Sequence, residues 1–131
     1  MKKKVLIVDD EPDIRELLKS RLKAARGFEV VSAEDGQSGF RTAIDEKPDL
    51  ILLDVMMPVM DGPTAAILLR ENEITKNIPI IFLTCLVEKG QTKWSHHEIG
   101  NNLFIAKPFD QEELLSMIDK IVGWPSGQAL Q

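Results

Sequence analysis

Short apolar runs alternate with amphipathic stretches from one end of the chain to the other. Runs of strand character fall near residues 4–9, 28–33, 49–54, 79–84 and 102–106. Helical periodicity falls between and after them, near 12–26, 36–46, 62–73, 88–98 and 110–122. In the first helix Ile14, Leu17, Leu18, Leu22 and Ala25 recur at the spacing of one buried face. Pro12 sits near its start, where a missing N–H does no harm, and Gly27 marks its end. The last helix repeats the pattern with Leu114, Leu115, Ile118, Ile121 and Val122, behind Asp110 as N-cap and Glu113 three residues on. The runs Val5–Val8 and Leu50–Leu53 are continuously apolar, which suits parallel strands covered on both faces. Five βα units in series predict an α/β protein built on one five-stranded, parallel, doubly wound sheet. The weak element is 88–98, where Gly90, two histidines and poor periodicity predict something short or irregular.

Composition narrows the class without naming it. At 131 residues the chain suits a single domain. Its 44% hydrophobic and 28% charged residues are ordinary for a soluble globular protein. A formal charge of −5 argues against a general nucleic-acid binder, and Lys2-Lys3-Lys4 is too short to reverse that. A secretory signal needs about 7–15 apolar residues and a membrane span about 20, and neither is present. The expected location is the cytoplasm, and the one cysteine, Cys85, fits a reducing compartment. Residues 123–131 contain Gly, Pro and Ser without periodicity and read as a flexible C-terminal tail to a domain over 1–122.

The strand ends carry the chemistry. Sites in doubly wound sheets lie outside the carboxyl ends of the strands. Those ends read Asp9-Asp10, Asp54, Thr84 and Lys107, whereas the second strand offers only Ser32 to Asp35. Taken singly, Asp9 or Asp10 reads as a helix cap, Thr84 as a turn residue and Lys107 as a solvated charge; their joint occurrence argues for a site. Three carboxylates together repel one another, and a hard divalent ion relieves the repulsion. Mg²⁺ also favours phosphate oxygens, which points to phosphoryl chemistry. One carboxylate could then act as nucleophile and form an aspartyl phosphate. Asp54 stands alone on its strand and suits that role, while Asp9 and Asp10 are adjacent and suit the metal. Lys107 and Thr84 would address the phosphoryl oxygens.

The segments Val5-Leu6-Ile7-Val8-Asp9-Asp10-Glu11-Pro12, Asp49 to Pro58, Met60-Asp61-Gly62, Pro79 to Thr84 and Ala106-Lys107-Pro108-Phe109 resemble a response-regulator receiver domain from about residue 3 to 122. The resemblance implies a (βα)5 flavodoxin-like fold and a signalling switch rather than an enzyme, with self-phosphorylation and slow self-hydrolysis as its only chemistry. It implies that Asp54 accepts phosphate from a sensor histidine kinase or phosphotransfer protein. It also implies that Asp10 and Asp54 bind Mg²⁺ directly, with Asp9 acting through water and the Met56 carbonyl as a further ligand. Thr84 and Lys107 would contact the phosphoryl group, Thr84 and Phe104 would switch on its arrival, and Lys107-Pro108 would often be cis. Signalling would pass to a downstream protein, with no direct nucleic-acid contact, no membrane insertion, and a monomer or weak phosphorylation-dependent dimer. A stand-alone regulator and an excised receiver of a larger regulator or hybrid kinase both fit. An aspartate-nucleophile phosphatase fits less well. Such enzymes place a second aspartate two residues beyond the nucleophile, where this chain has Met56.

In relatives the positions two beyond the acceptor and two beyond the threonine tune hydrolysis. Here they are Met56 and Leu86, neither able to orient water, which predicts a long-lived phosphate. Cys85 reads as a tolerated small apolar residue. The adjacent His96 and His97 point to different faces and so read poorly as a metal site. Trp94 reads as a partner contact.

Overall fold

A computed structural model describes residues 2–84, 98–99 and 102–123 of the chain. The elements are β1 (Lys4–Val8), α1 (Pro12–Arg26), β2 (Glu29–Ala33), α2 (Gly36–Glu46), β3 (Leu50–Asp54), α3 (Gly62–Glu71), β4 (Ile80–Thr84), β5 (Glu98–Ile99), β6 (Asn102–Ala106) and α4 (Gln111–Val122). The sheet order is β2-β1-β3-β4-β6-β5. The first five of these strands pair in parallel, as in flavodoxin-like doubly wound sheets.

Two cores explain why the central strands carry no alternation. Val5, Ile7, Leu50, Leu52, Ile81, Leu83 and Ile105 pack with Leu18 and Leu22 of α1 and Leu114, Leu115, Met117 and Ile118 of α4. The alternate positions Leu6, Val8, Ile51, Leu53, Ile80 and Phe82 pack with Ala43 of α2 and Ala65, Ala66 and Leu69 of α3. Each strand therefore feeds both layers, and polar residues appear only where it leaves them. The side strand β2, by contrast, is buried at Val30 and Ala33 and exposed at Glu29 and Ser32.

Helix ends are set by short polar signals. Asp35 and Ser38 form a reciprocal capping box on α2, while Asp61 caps α3 through Thr64 N and Asp110 caps α4 through Glu113 N. Gly27 closes α1 at φ 67°, a left-handed conformation that glycine adopts without penalty.

Three expectations change. The sheet has a sixth strand, the two-residue β5, antiparallel to β6 through Glu98 opposite Leu103 and Ile99 opposite Asn102. Glu98, expected to end a helix, belongs to that strand; residues 88–97 of the helix, Cys85, Leu86, Trp94, His96, His97 and tail residues 124–131 lie outside the described residues. Leu17, expected on the buried face of α1, is 39% exposed. No helix among the described residues is long and apolar enough to cross a membrane.

Candidate functional site

Register brings the acids together. Val8 lies opposite Leu53, so Asp9 and Asp54, each at or just past a strand end, become neighbours on adjacent strands. The side-chain period of two places both in the series that faces α1 and α4, after Ile7 and Leu52. Lys107 follows Ile105 in the same series, and its backbone N–H donates to the Thr84 carbonyl at 2.8 Å. Thr84 falls in the opposite series, after Ile80 and Phe82, and reaches the cleft from the other layer.

The result is a cleft of about 330 Å³ lined by Asp10, Glu11, Asp54, Val55, Met56, Thr84 and Lys107. One carboxylate oxygen from each of Asp9, Asp10 and Asp54 lies within 4.8 Å of the others, Asp9 and Asp54 buried and Asp10 exposed. Lys107 Nζ stands 3.0 Å from Asp9 Oδ2, 3.4 Å from Asp54 Oδ1 and 3.4 Å from Glu11 Oε1. Asp9 is further fixed by the Glu11 N–H, which donates to Oδ1 at 2.9 Å. Its carbonyl accepts from Arg15 Nη1 at 2.6 Å, and its N–H donates to Ala33 at 3.1 Å.

These contacts set the charges. Burial, then the negative charge of Asp9, pushes the Asp54 carboxyl up to about 6, while Lys107 pulls part of the way back. For Lys107, burial alone would lower the pKa; the hydrogen bond and charge of Asp9, and those of Asp54, outweigh it and raise it. One amine thus meets the carboxylates of Asp9, Glu11 and Asp54, and Asp10 converges with two of these on one point. All-oxygen donors, crowded and only partly neutralised, fit a hard divalent cation.

Asp9, Asp10, Asp54, Thr84 and Lys107 are therefore assembled at one end of the sheet, as their strand-end positions predict. Met56 lines the same cleft and is 60% exposed. Phe104 lies outside it, on the α2/α3 layer, stacked on Phe82 with ring centroids 5.2 Å apart. The Lys107–Pro108 bond is cis. Two participants carried no role in the sequence reading: Glu11, and Gly62. A Cβ on Gly62 would run into the Asp54 carbonyl oxygen, so the first turn of α3 can approach the end of β3 only as glycine. The signal for Glu11 was present: glutamate is a poor residue for a helix N-cap.

Three convergent carboxylates and a lysine thus lie at the carboxyl edge of a flavodoxin-like sheet. The response regulator receiver domain family matches residues 5–119, and the chain belongs to that family. It is 41% identical over 120 residues to the phosphate regulon transcriptional regulatory protein PhoB of Pseudomonas aeruginosa, covering 92% of this chain and 52% of PhoB. It is 40% identical over 115 residues to the DNA-binding dual master transcriptional regulator RpaA of a Synechocystis strain, covering 88% of this chain and 47% of that relative. The chain thus spans about half the length of these curated relatives. Among solved structures, the chemotaxis protein CheY4 of Vibrio cholerae superposes with a TM-score of 0.78 at 33% identity, over 92% of this chain and 99% of CheY4. The receiver domain of a Pseudomonas aeruginosa sensor histidine kinase, with a magnesium ion coordinated in its active-site cleft, gives 0.79 at 28% identity, over 94% and 99%.

Proposed function

We propose that this receiver is phosphorylated on Asp54 by a histidine kinase or phosphotransfer protein and signals through phosphorylation-dependent protein contacts. The observation that carries the reading is Lys107 Nζ held between Asp9 and Asp54 at 3.0 and 3.4 Å, beside a third carboxylate.

An Asp54 oxygen attacks phosphorus as the P–N bond of a phosphohistidine breaks, and the imidazole leaves with the bonding pair and takes up a proton. Lys107 then contacts a phosphoryl oxygen, and Thr84 donates its hydroxyl to another. Asp9, fully buried, keeps Lys107 aimed at the reacting centre. Asp10, Asp54, the Met56 carbonyl and, more remotely, Asp9 would hold Mg²⁺, which when bound offsets charge on the carboxylates and the phosphoryl oxygens. The added phosphoryl charge favours the conformer in which Thr84 moves toward the cleft, and Phe104, two strands' width from Asp54 and stacked on Phe82, repacks with it.

A second reading concerns context. Because the chain spans about half of PhoB and RpaA, this reading takes the receiver as one part of a larger regulator, any DNA contact then coming from another domain. The phosphatase alternative is opposed by Met56, an exposed thioether where an acid/base carboxylate is needed.

The test is incubation with Mg²⁺ and acetyl phosphate followed by intact mass. A phosphoryl mass gain in the wild type that is lost in Asp54→Asn is expected. A folded wild-type protein that gains no mass would overturn the reading.

A further inference from the structure

Glu11 occupies the N-cap of α1, a position where a short side chain normally accepts from the first helical turn. It makes no such bond. Its carboxylate lies instead 3.4 Å from Lys107 Nζ, across 96 residues of sequence, and lines the cleft with Asp10, Asp54 and Met56. The backbone beneath it is fixed. Its N–H donates to Asp9 Oδ1, and its carbonyl accepts from Ile14 and Arg15. The side chain itself is 61% exposed.

An ammonium has three N–H donors. Lys107 meets three carboxylates, those of Asp9, Asp54 and Glu11. A phosphoryl oxygen entering the cleft must displace one of them. Asp9 is fully buried and would be costly to strand. Glu11 can turn to water at little cost, because exposed ion pairs contribute little. Until then it adds a negative charge at the mouth through which an anionic donor enters.

We propose that Glu11 is a positioning and selecting residue. It pairs with Lys107 at rest, yields it to the arriving phosphoryl group, and disfavours loading by small dianionic donors relative to donors of lower charge. The inference rests on the reading of Asp54 as acceptor. With acetyl phosphate, the Asp54 O–P bond forms as the P–O bond to the acetyl group breaks, and acetate leaves with the electron pair. With phosphoramidate the P–N bond breaks and ammonia leaves from the protonated nitrogen. Glu11 moves no proton in either case.

The test measures loading rates by intact mass for the full chain with Mg²⁺, at low and high potassium chloride. The donors are acetyl phosphate, a dianion at neutral pH, and phosphoramidate, largely a monoanion there. Glu11→Gln should load from acetyl phosphate about threefold to tenfold faster at low salt, the gain shrinking at high salt. Its gain with phosphoramidate should be smaller, and Glu11→Asp, which keeps the charge, should retain the wild-type salt dependence. Loading by Glu11→Gln that matches wild type, or that rises equally for both donors at both salts, would overturn the inference. A wild type that loads from neither donor overturns the acceptor reading and this inference with it. A wild type that loads while Glu11→Gln shows no donor or salt preference overturns this inference alone.

Discussion

Lys107 Nζ and Asp9 Oδ2 are 3.0 Å apart, and the same ammonium lies 3.4 Å from Asp54 Oδ1. The Lys107 side chain is 10% exposed and that of Asp9 is fully buried. Asp9 is positioned by the sheet, because it follows a strand buried on both faces and donates to β2 through its own N–H. Lys107 is positioned by β6 and by its backbone bond to Thr84. The pair therefore joins the β1 edge of the site to the β6 edge across β3 and β4.

Removing the amine leaves Asp9 buried and without its cation. Lys107→Met is expected to destabilise the metal-free protein by about 3–5 kcal/mol at neutral pH, the range for stranding one member of a buried ion pair. Mg²⁺ should restore part of the loss, because a second cation enters the same carboxylate cluster. Urea unfolding with chelator and with Mg²⁺ measures both. Equal losses in the two conditions would contradict the electrostatic account.

Asp54 should give the metal-free protein an unusual pH dependence. Its carboxyl is raised from 3.8 to about 6 by burial and by Asp9. Between those values the folded state binds more protons than the unfolded state, so stability falls as pH rises. The contribution is fully present below the unfolded value and is lost as pH passes the folded one. Asp54→Asn, which resembles the protonated form, should remove this slope and be more stable than wild type at pH 7 by about 1–3 kcal/mol. Mg²⁺ should abolish the advantage. Chemical denaturation from pH 4 to pH 8, with and without chelator, checks the sign.

The site was legible in sequence because its residues stand where continuously buried strands end. Val5–Val8 and Leu50–Leu53 could face nothing but two helical layers, so the acids that follow had to mark the sheet edge. Glu11 was harder to read, since its pairing with Lys107 depends on how α1 leaves β1 and not on spacing. Leu17 matched the period of α1 but sits at the margin of a face that Leu18 and Leu22 already fill. The strand β5 is too short for any periodicity.

Gly62 should be intolerant of even one methyl group. A Cβ there would collide with the Asp54 carbonyl oxygen and crowd the Val55 Cα, while the Gly62 N–H already donates to the Val55 carbonyl at 2.9 Å. Gly62→Ala is expected to cost about 1–3 kcal/mol as the loop shifts, and to weaken Mg²⁺ binding because the end of β3 shifts with it. Gly27→Ala serves as the contrast. It has open space around it and φ 67°, so it should cost about 1–2 kcal/mol in backbone strain and leave Mg²⁺ affinity unchanged. Calorimetric Mg²⁺ titration of both variants separates the two effects.

Met56 is expected to govern how long a phosphoryl group survives on Asp54. It lines the cleft, is 60% exposed, and ends in a thioether that accepts hydrogen bonds only weakly. A water approaching the phosphoryl group from this side therefore finds no strong partner to orient it. Asparagine at the same position would supply one. A single net hydrogen bond is worth about 1 kcal/mol, which corresponds to about a fivefold change in rate. Met56→Asn is thus expected to shed phosphate about five times faster than wild type once donor is removed and Mg²⁺ retained. Met56→Leu, of similar volume and equally apolar, should keep the wild-type half-life. Phosphate release followed by intact mass gives both numbers, and an unchanged half-life in Met56→Asn would mean that water reaches Asp54 by a route this side chain does not line.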